Sequence, residues 1–346
     1  MFEHLNLSTL KKFLVFTSGT LCLLLLYLLL PFNKNPSLLP ILITSQTYGN
    51  RNLHLNPPPQ EWIQRQFQQA LLNLNLHYNS SSRWSSCGPK TYYFPHINTI
   101  FTGTPKTGCS NWVEVLLRAE GTLKRELDPT NIRFVHGQVS EKHRMRHMRE
   151  HYSDETFREA FSFTVVRNPW TRLVSGYRDK LSDEETQGAD KRAIGVKIVQ
   201  EMRNIDNLTT IKEHEIYPTF EEFAEYMVKH GGMVNPHFSP QFQTLCIPQA
   251  RYDYVIPLEY SGILSSEVLD KIDTNATLLG SYDKSSDPRQ QTSTVFARDW
   301  LSKLQPKTIE NLYSIFKTDF TLLNYSNFSH PDFPLPLYHK QKSETA

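Results

Sequence analysis

The sequence predicts an α/β domain with a central, mainly parallel sheet flanked by helices, and three observations support this prediction. Short apolar runs, β-branched or aromatic and bounded by breakers, occur at residues 97–103, 161–166 and 252–259. Longer helix-compatible segments separate them, and such alternation is typical of a parallel sheet. The chain of 346 residues is 39% hydrophobic and 21% charged, which is enough for a substantial core. We expect one domain over residues 96–330 and a polar tail over 331–346.

The N-terminal segment predicts a membrane anchor. Phe13–Leu30 is an uncharged, leucine-rich run that as a helix would span roughly 27 Å, about one hydrocarbon core. Lys11 and Lys12 precede it, so the positive-inside rule leaves residues 1–12 in the cytosol and the rest in the lumen. The alternative is a cleaved signal peptide, but the run is long and a small-x-small cleavage site is not evident after it.

Residues 31–95 read as a luminal stem, because they are rich in Pro, Asn, Gln and Ser, with one helix near Glu61–Leu72. A luminal domain gives meaning to the N-x-[ST] sequons, which lie at Asn79, Asn207, Asn275, Asn324 and Asn327. The net charge of +2 does not suggest a general nucleic-acid binder.

Four cysteines are too few for a disulfide scaffold. Cys22 lies in the predicted anchor and Cys109 lies in a glycine-containing loop. Cys87 and Cys246 are therefore the expected luminal pair, by elimination only.

The stretch "FTGTPKTGCSNW", Phe101–Trp112, predicts a strand, an anion-binding loop and a helix start. Gly103 and Gly108 permit tight turns, and backbone N–H groups of residues 107–110 would converge on an anion at the start of the helix. Lys106 lies inside this P-loop-like turn, yet the G-K-[ST] ending that holds Mg²⁺ in triphosphatases is missing. The alternative is an ordinary strand–turn–helix with a surface lysine.

A second strand–turn–helix follows in "FTVVRNPWTRLVSGYRDK", Phe163–Lys180. Arg167 comes directly after the strand, and Ser175 lies on the helix that follows. A guanidinium fork and a hydroxyl make a plausible phosphate clamp. Arg172 and Arg178 recur with Ser175 at helical spacing, which is also compatible with a solvated basic helix.

Together the two motifs resemble the donor-binding elements of the Golgi carbohydrate sulfotransferases, in particular the group acting on chondroitin, dermatan and the glucuronyl carbohydrate epitope. Later blocks such as "NPHFSPQFQTLCIPQARYDYVIPLEY" are similar in the same order. The resemblance implies that the donor is 3′-phosphoadenosine 5′-phosphosulfate, used without a metal. It implies that Lys106 contacts the phosphosulfate bridge and stabilises the developing charge. The donor-contacting residues that it implies are Pro105, Lys106, Thr107, Gly108, Cys109, Ser110, Asn111, Arg167 and Ser175.

The resemblance also implies a glycan acceptor, a single-pass Golgi membrane protein with a luminal catalytic domain, and no nucleic-acid partner. The chain departs from the family pattern at Phe238, where tryptophan is usual, and at Pro248-Gln249, where a second cysteine is missing. The expected acceptor is N-acetylgalactosamine O-4 of chondroitin or dermatan. Glucuronic acid O-3 and N-acetylgalactosamine on N-glycans stay open, as does a non-catalytic glycan-binding relative. A Mg²⁺-dependent nucleotide kinase is disfavoured by the missing G-K-[ST].

A general base must take the proton of the acceptor hydroxyl. His136 is the leading candidate, because related heparan sulfate 2-O-sulfotransferases place a histidine similarly. His237 and Glu114 are the other candidates, with His237 expected to shape the acceptor site. The run Glu141–His151 carries His143, His147 and His151 four residues apart, which could align on a helix to bind a metal, to contact an anionic polysaccharide or only to face solvent.

Overall fold

The computed structural model describes residues 60–81, 84, 87–88, 90–123, 143–182, 189–205, 217–272 and 294–325. The predicted anchor, His136 and the sequons at Asn207, Asn275 and Asn327 lie outside these ranges. Among the described residues, no helix combines the length and the apolar character that crossing a membrane requires.

A four-stranded sheet forms the centre of the domain. Its strands are β1 (Thr91–Phe94), β2 (Thr99–Gly103), β3 (Phe161–Val166) and β4 (Tyr254–Pro257), in that spatial order. The pairs β2–β3 and β3–β4 are parallel, and β1 is antiparallel to β2. The mainly parallel sheet and its three predicted strands are therefore confirmed.

Helices surround the sheet. They are α1 (Gln60–Leu76), α2 (Cys109–Ala119), α3 (Met145–Met148), α4 (Asp154–Glu159), α5 (Pro169–Lys180), α6 (Ala189–Arg203), α7 (Phe220–Lys229), α8 (Ser261–Lys271), α9 (Thr294–Leu301) and α10 (Pro306–Leu322). Short 3-10 turns occupy Pro95–Ile97, Gln241–Gln243 and Leu258–Tyr260.

Two apolar clusters account for the packing. The first unites the sheet with α1, α2 and α8 and includes Phe101, Trp112 and Phe163, whose rings contact one another. The second is helical, joins α5 to α6, α7, α9 and α10, and includes Trp170 and Phe316. Helix α5 is part of this helical cluster, and its side chains are buried along most of its length.

Two elements that precede residue 96 pack in the same core as the rest of the sheet. Strand β1 lies in the range that the sequence assigns to the stem, and Ile63 and Phe67 of α1 are buried in the sheet cluster. Asn75 at the end of α1 exchanges two hydrogen bonds with the backbone of Tyr252, at 2.8 and 2.9 Å. The helix expected near Glu61–Leu72 is present as α1. Its packing in the core was not predicted, because α1 exposes Gln64, Gln68 and Gln69 and buries only one face.

The predicted disulfide between Cys87 and Cys246 is confirmed, with Cα atoms 5.3 Å apart. It links the segment before β1 to the segment before β4. Cys109 is a buried free thiol, and burial raises its pKa to about 11, so it stays protonated at neutral pH.

Candidate active site

The candidate site lies at one edge of the sheet, where the carboxyl ends of β2, β3 and β4 meet. The loop of Lys106 follows β2, Arg167 follows β3, and Glu259 follows β4. Lys90 joins them because β1 is antiparallel, so its amino end pairs beside the carboxyl end of β2, with Thr91 opposite Thr102. Ligands of open α/β sheets bind at this edge.

The loop after β2 is a tight turn that leads into α2. The hydroxyl and the backbone N–H of Thr107 both donate to the carbonyl of Thr104, at 2.8 and 3.3 Å, so in this conformation they shape the loop itself. Lys106 and Gly108 adopt left-handed backbone angles, with φ of 70° and 77°. A Cβ on Gly108 would lie 3.2 Å from Leu258, so glycine suits both the turn and the contact.

The start of α2 fits an anion. Its N-cap is Gly108, which supplies no side-chain oxygen to the first turn. Helix N-termini carry N–H groups without intrahelical acceptors and a partial positive charge, which together attract phosphate or sulfate oxygens. Cys109 is buried in this first turn, whereas Ser110 and Asn111 are partly exposed.

Lys106 lies against an acid on α5. Its Nζ is 3.4 Å from Asp179 Oδ2, and the same oxygen is 2.9 Å from Lys180 Nζ. Desolvation lowers the pKa of Lys106, the Asp179 carboxylate opposes this shift, and the nearby Arg167 guanidinium adds to it. Asp179 thus pairs with both Lys180 and the loop lysine, so Asp179 belongs to the site.

Arg167 joins the second motif to the first. Its buried guanidinium donates from Nη1 to the carbonyl of Lys106 at 3.0 Å and from Nε to Thr171 Oγ1 at 3.1 Å. Asn168 caps α5 by accepting from the N–H of Trp170 at 2.9 Å, and Pro169 occupies the first helical turn, where its fixed φ suits the helix.

Ser175 lies on α5 one turn beyond Thr171, and its side chain is almost wholly buried. A spacing of four residues places both hydroxyls on the helix face that begins beside Arg167. The two motifs that sequence analysis singled out are thus brought together through the contact between Arg167 and Lys106.

Arg172 has a different role from its helical neighbours. It is 1% exposed, and it donates to three carbonyl oxygens: Pro105 at 2.8 Å, Pro236 at 2.8 Å and Ser239 at 2.6 Å. Desolvation lowers its pKa to about 10, which keeps it charged at neutral pH. The reading of Arg172 as part of a solvated basic face is wrong, because α5 is buried there.

Gln241 fixes the backbone of Arg167, and Asp319 in turn fixes Gln241. Gln241 pairs with the backbone of Arg167 through two bonds, accepting from its N–H at 2.9 Å and donating to its carbonyl at 2.7 Å. The buried Asp319 carboxylate accepts from the N–H groups of Gln241 and Phe242 at 2.6 and 2.9 Å. Burial raises the pKa of Asp319, and these two N–H groups oppose the rise.

Glu259 connects the end of β4 to the start of α5. It accepts from the N–H of Asn168 at 2.7 Å and from the hydroxyl of Tyr325 at 2.8 Å. Gln241, Glu259 and Asp319 were not predicted from the sequence, since each acts on backbone that is distant in sequence. For Asp319 one signal was available: an acid on the apolar face of α10, three residues after Phe316.

The three candidates for the general base differ in their surroundings. His136 lies outside the described residues. Glu114 accepts two hydrogen bonds from Arg118 on α2, with its Oε1 3.0 Å from Nε and 2.9 Å from Nη2, and it is buried. His237 lies partly exposed beside α5, near the lysines of the site.

The histidines of the basic run do not align on one helix. His143 precedes α3 and is buried with its ring stacked on Phe94, centroids 4.9 Å apart, whereas His151 follows α3 and is exposed. Over the ranges that the structure covers, no group of three or more His, Cys, Asp or Glu side chains is placed to hold a metal ion.

Comparison with known proteins supports the resemblance. The profile described as "Sulfotransferase family" matches residues 89–326. The chain is 27% identical over 235 residues to carbohydrate sulfotransferase 11 of Mus musculus, covering 66% of this chain and 64% of the relative. It is 27% identical to carbohydrate sulfotransferase 12 of Xenopus laevis, covering 65% and 57%. It is 26% identical to carbohydrate sulfotransferase 14 of Danio rerio, covering 80% and 68%.

The chain thus spans less than two thirds of the length of the mouse and frog relatives that it matches. No solved structure gives a significant match. The family match covers the whole sheet and both motifs at its edge, from Lys90 to Tyr325. The chain belongs to the sulfotransferase family, and the relatives it matches there are carbohydrate sulfotransferases.

Proposed function

We propose that the chain is a carbohydrate sulfotransferase that moves the sulfuryl group of 3′-phosphoadenosine 5′-phosphosulfate to a sugar hydroxyl. The observation that carries the proposal is the direct bond from Arg167 to the carbonyl of Lys106, which joins two cationic motifs at one sheet edge. One donor molecule with anionic groups at its 5′ and 3′ positions would engage both motifs.

The charge and position of each residue indicate which anionic group of the donor it holds. Lys106 and the N-terminal turn of α2 hold the 5′-phosphosulfate, with Pro105 to Asn111 forming the cradle. Arg167 and Ser175 hold the 3′-phosphate. Lys106 must exchange its contact with Asp179 for the donor, and Lys180 stays with the carboxylate. The fixed cations substitute for a metal in stabilising the leaving phosphate. For the base, His136 stays a prediction from the resemblance.

The acceptor is proposed to be N-acetylgalactosamine O-4 of chondroitin or dermatan, as the resemblance of the motifs implies. The carbohydrate sulfotransferase relatives support a sugar acceptor in general and do not specify its position. We also propose a type II Golgi membrane protein, with Phe13–Leu30 as the anchor and the catalytic domain in the lumen. The long uncharged run after two lysines supports that topology.

The test is transfer of ³⁵S from labelled donor by the full chain in the presence of EDTA. The panel holds chondroitin, dermatan, desulfated heparan and oligosaccharides ending in glucuronic acid or N-acetylgalactosamine. We expect label on chondroitin or dermatan. Label on the glucuronyl oligosaccharide alone would move the acceptor to that sugar, and donor binding without transfer to any member would favour a non-catalytic binder. Failure to bind the donor would contradict the proposal.

Arg167→Ala is expected to weaken binding of adenosine 3′,5′-bisphosphate, the desulfated product, by about 2–4 kcal/mol, because one charged clamp is lost. Calorimetry should show roughly a 30- to 700-fold rise in Kd. Adenosine 5′-phosphosulfate, which lacks the 3′-phosphate, provides the comparison and should lose much less. Equal losses for both ligands would place Arg167 away from the 3′-phosphate.

A further inference from the structure

Residues 235–239, the NPHFS segment, lie directly on α5. A Cβ on Gly176 would lie 2.6 Å from the carbonyl oxygen of His237 and 2.9 Å from the ring of Phe238. Only a residue without a side chain therefore allows this approach. Asp179, the partner of Lys106, lies three residues further along the same helix.

Arg172 fixes the NPHFS segment relative to the loop of Lys106. Its guanidinium holds the carbonyls of Pro105 and Pro236, both at 2.8 Å. Lys106 and His237 are the residues that immediately follow these two carbonyls. One buried group thus sets the positions of the lysine and the histidine together.

The hydrogen bonds of Asn235 determine which ring nitrogen of His237 carries the proton. Asn235 Oδ1 lies 2.9 Å from the backbone N–H of His237, which must donate to it, so the amide oxygen faces this way. The same oxygen is 2.8 Å from Nδ1 of the ring. Nδ1 therefore carries the proton in the neutral imidazole, and Nε2 keeps its lone pair.

Burial and the nearby lysines keep the imidazole of His237 neutral. Burial is the main cause that lowers the pKa of His237, to about 3, and Lys180, Lys106 and Lys90 contribute in the same direction. The Asp179 carboxylate opposes them. A bound phosphosulfate would offset the lysine charges, so the pKa of the imidazole should rise toward a useful value when the donor is present.

From this geometry, and resting on the proposed function, we infer that His237, in place of the His136 that the resemblance implies, is the general base of sulfuryl transfer. Asn235 is its positioning residue. The acceptor hydroxyl oxygen forms the new S–O bond while the bond from sulfur to the bridging 5′-phosphate oxygen breaks, and that oxygen keeps the electron pair. The hydroxyl proton moves to Nε2. Solvent recovers the proton after the sulfated sugar and adenosine 3′,5′-bisphosphate leave.

The first test compares His237→Ala and His237→Gln with the full-length wild-type chain. Turnover should fall about 100- to 10,000-fold, the range of general-base loss, while the Kd for adenosine 3′,5′-bisphosphate stays within about threefold. His77→Ala, an exposed histidine at the end of α1, is the matched control and should retain wild-type turnover. His136→Ala, run in parallel, should leave more activity than His237→Ala.

Near wild-type turnover in both His237 variants would overturn the assignment, as would a loss confined to donor affinity. These comparisons are made with a wild-type chain that transfers the sulfuryl group to at least one acceptor of the panel. A wild-type chain that transfers to no acceptor would instead overturn the proposed function and the assignment together. Circular dichroism of each variant separates loss of the base from loss of the fold.

Asn235→Asp tests the positioning role. A carboxylate can still accept both hydrogen bonds of Asn235, and its charge favours the imidazolium. The base must be unprotonated to act, so kcat falls as pH drops through its pKa in the substrate complex. We expect this acidic limb to move up by about one pH unit in Asn235→Asp. A merely structural role for Asn235 would leave the limb in place, and that result would overturn the inference.

Discussion

Lys106→Ala is expected to lower turnover by about 100- to 1,000-fold or more, because it removes the cation placed where charge develops on the leaving phosphate. The ammonium is partly desolvated, with 22% of its side chain exposed, so its charge is screened less than that of a surface lysine. Turnover of labelled donor at saturating acceptor is the measurement. Lys229→Ala removes another ion-paired lysine, 2.7 Å from Glu201 on α6, and should leave turnover unchanged.

The fold should survive this substitution. The positive φ of Lys106 disfavours alanine and lysine alike, so the exchange adds little backbone strain. The bond from Arg167 goes to the backbone carbonyl of Lys106 and is kept, and Asp179 retains Lys180. The melting temperature should therefore stay within a few degrees of the wild-type value. Near wild-type turnover in a folded variant would show that the sulfuryl group is not transferred at the loop of Lys106.

The parts of the fold that sequence analysis predicted are those encoded locally. Strands β2, β3 and β4 are short β-branched or aromatic runs between breakers, and the helix after Arg167 begins with Asn168 and Pro169. Glycine, proline and the capping asparagine act within a few residues, so their effects can be read from neighbours. The contact between the two motifs then follows from the rule that parallel strands end at one edge.

The parts that were missed depend on distant partners. Helical spacing grouped Arg172 with Ser175 and Arg178, but spacing does not reveal that the Arg172 guanidinium meets carbonyls at positions 236 and 239. Asp319 likewise acts on the backbone of Gln241 and Phe242, which lie 78 and 77 residues away in the sequence. The packing of α1 and β1 was not predicted for a related reason, because their partners lie further along the chain: β1 pairs with β2, and Phe67 of α1 contacts Tyr254 of β4.

Arg172→Met should produce the largest loss of stability among these variants. Methionine fills part of the volume but leaves three carbonyl oxygens without their donor, in a site where the arginine is almost fully buried. A buried acceptor left without its donor costs about 1–3 kcal/mol, so the loss for three carbonyls should be about 3 kcal/mol or more. For a chain of this size that corresponds to a fall in melting temperature on the order of 10 °C. Arg203→Met is the matched control, because its two-bond ion pair with Glu222 lies at the surface and should cost less than about 1 kcal/mol.

The same guanidinium binds the carbonyls of the residues before Lys106 and His237. Its loss should therefore also lower the rate of sulfuryl transfer in molecules that stay folded. We expect Arg172→Met to lower turnover at a temperature where circular dichroism shows the variant fully folded. Saturating adenosine 3′,5′-bisphosphate should recover part of the lost melting temperature, since a ligand that binds only the folded state stabilises it. Arg172→Lys cannot reach three carbonyls with one ammonium and should fall between methionine and wild type. A methionine variant with wild-type stability would show that these three bonds do not hold the NPHFS segment and the lysine loop together.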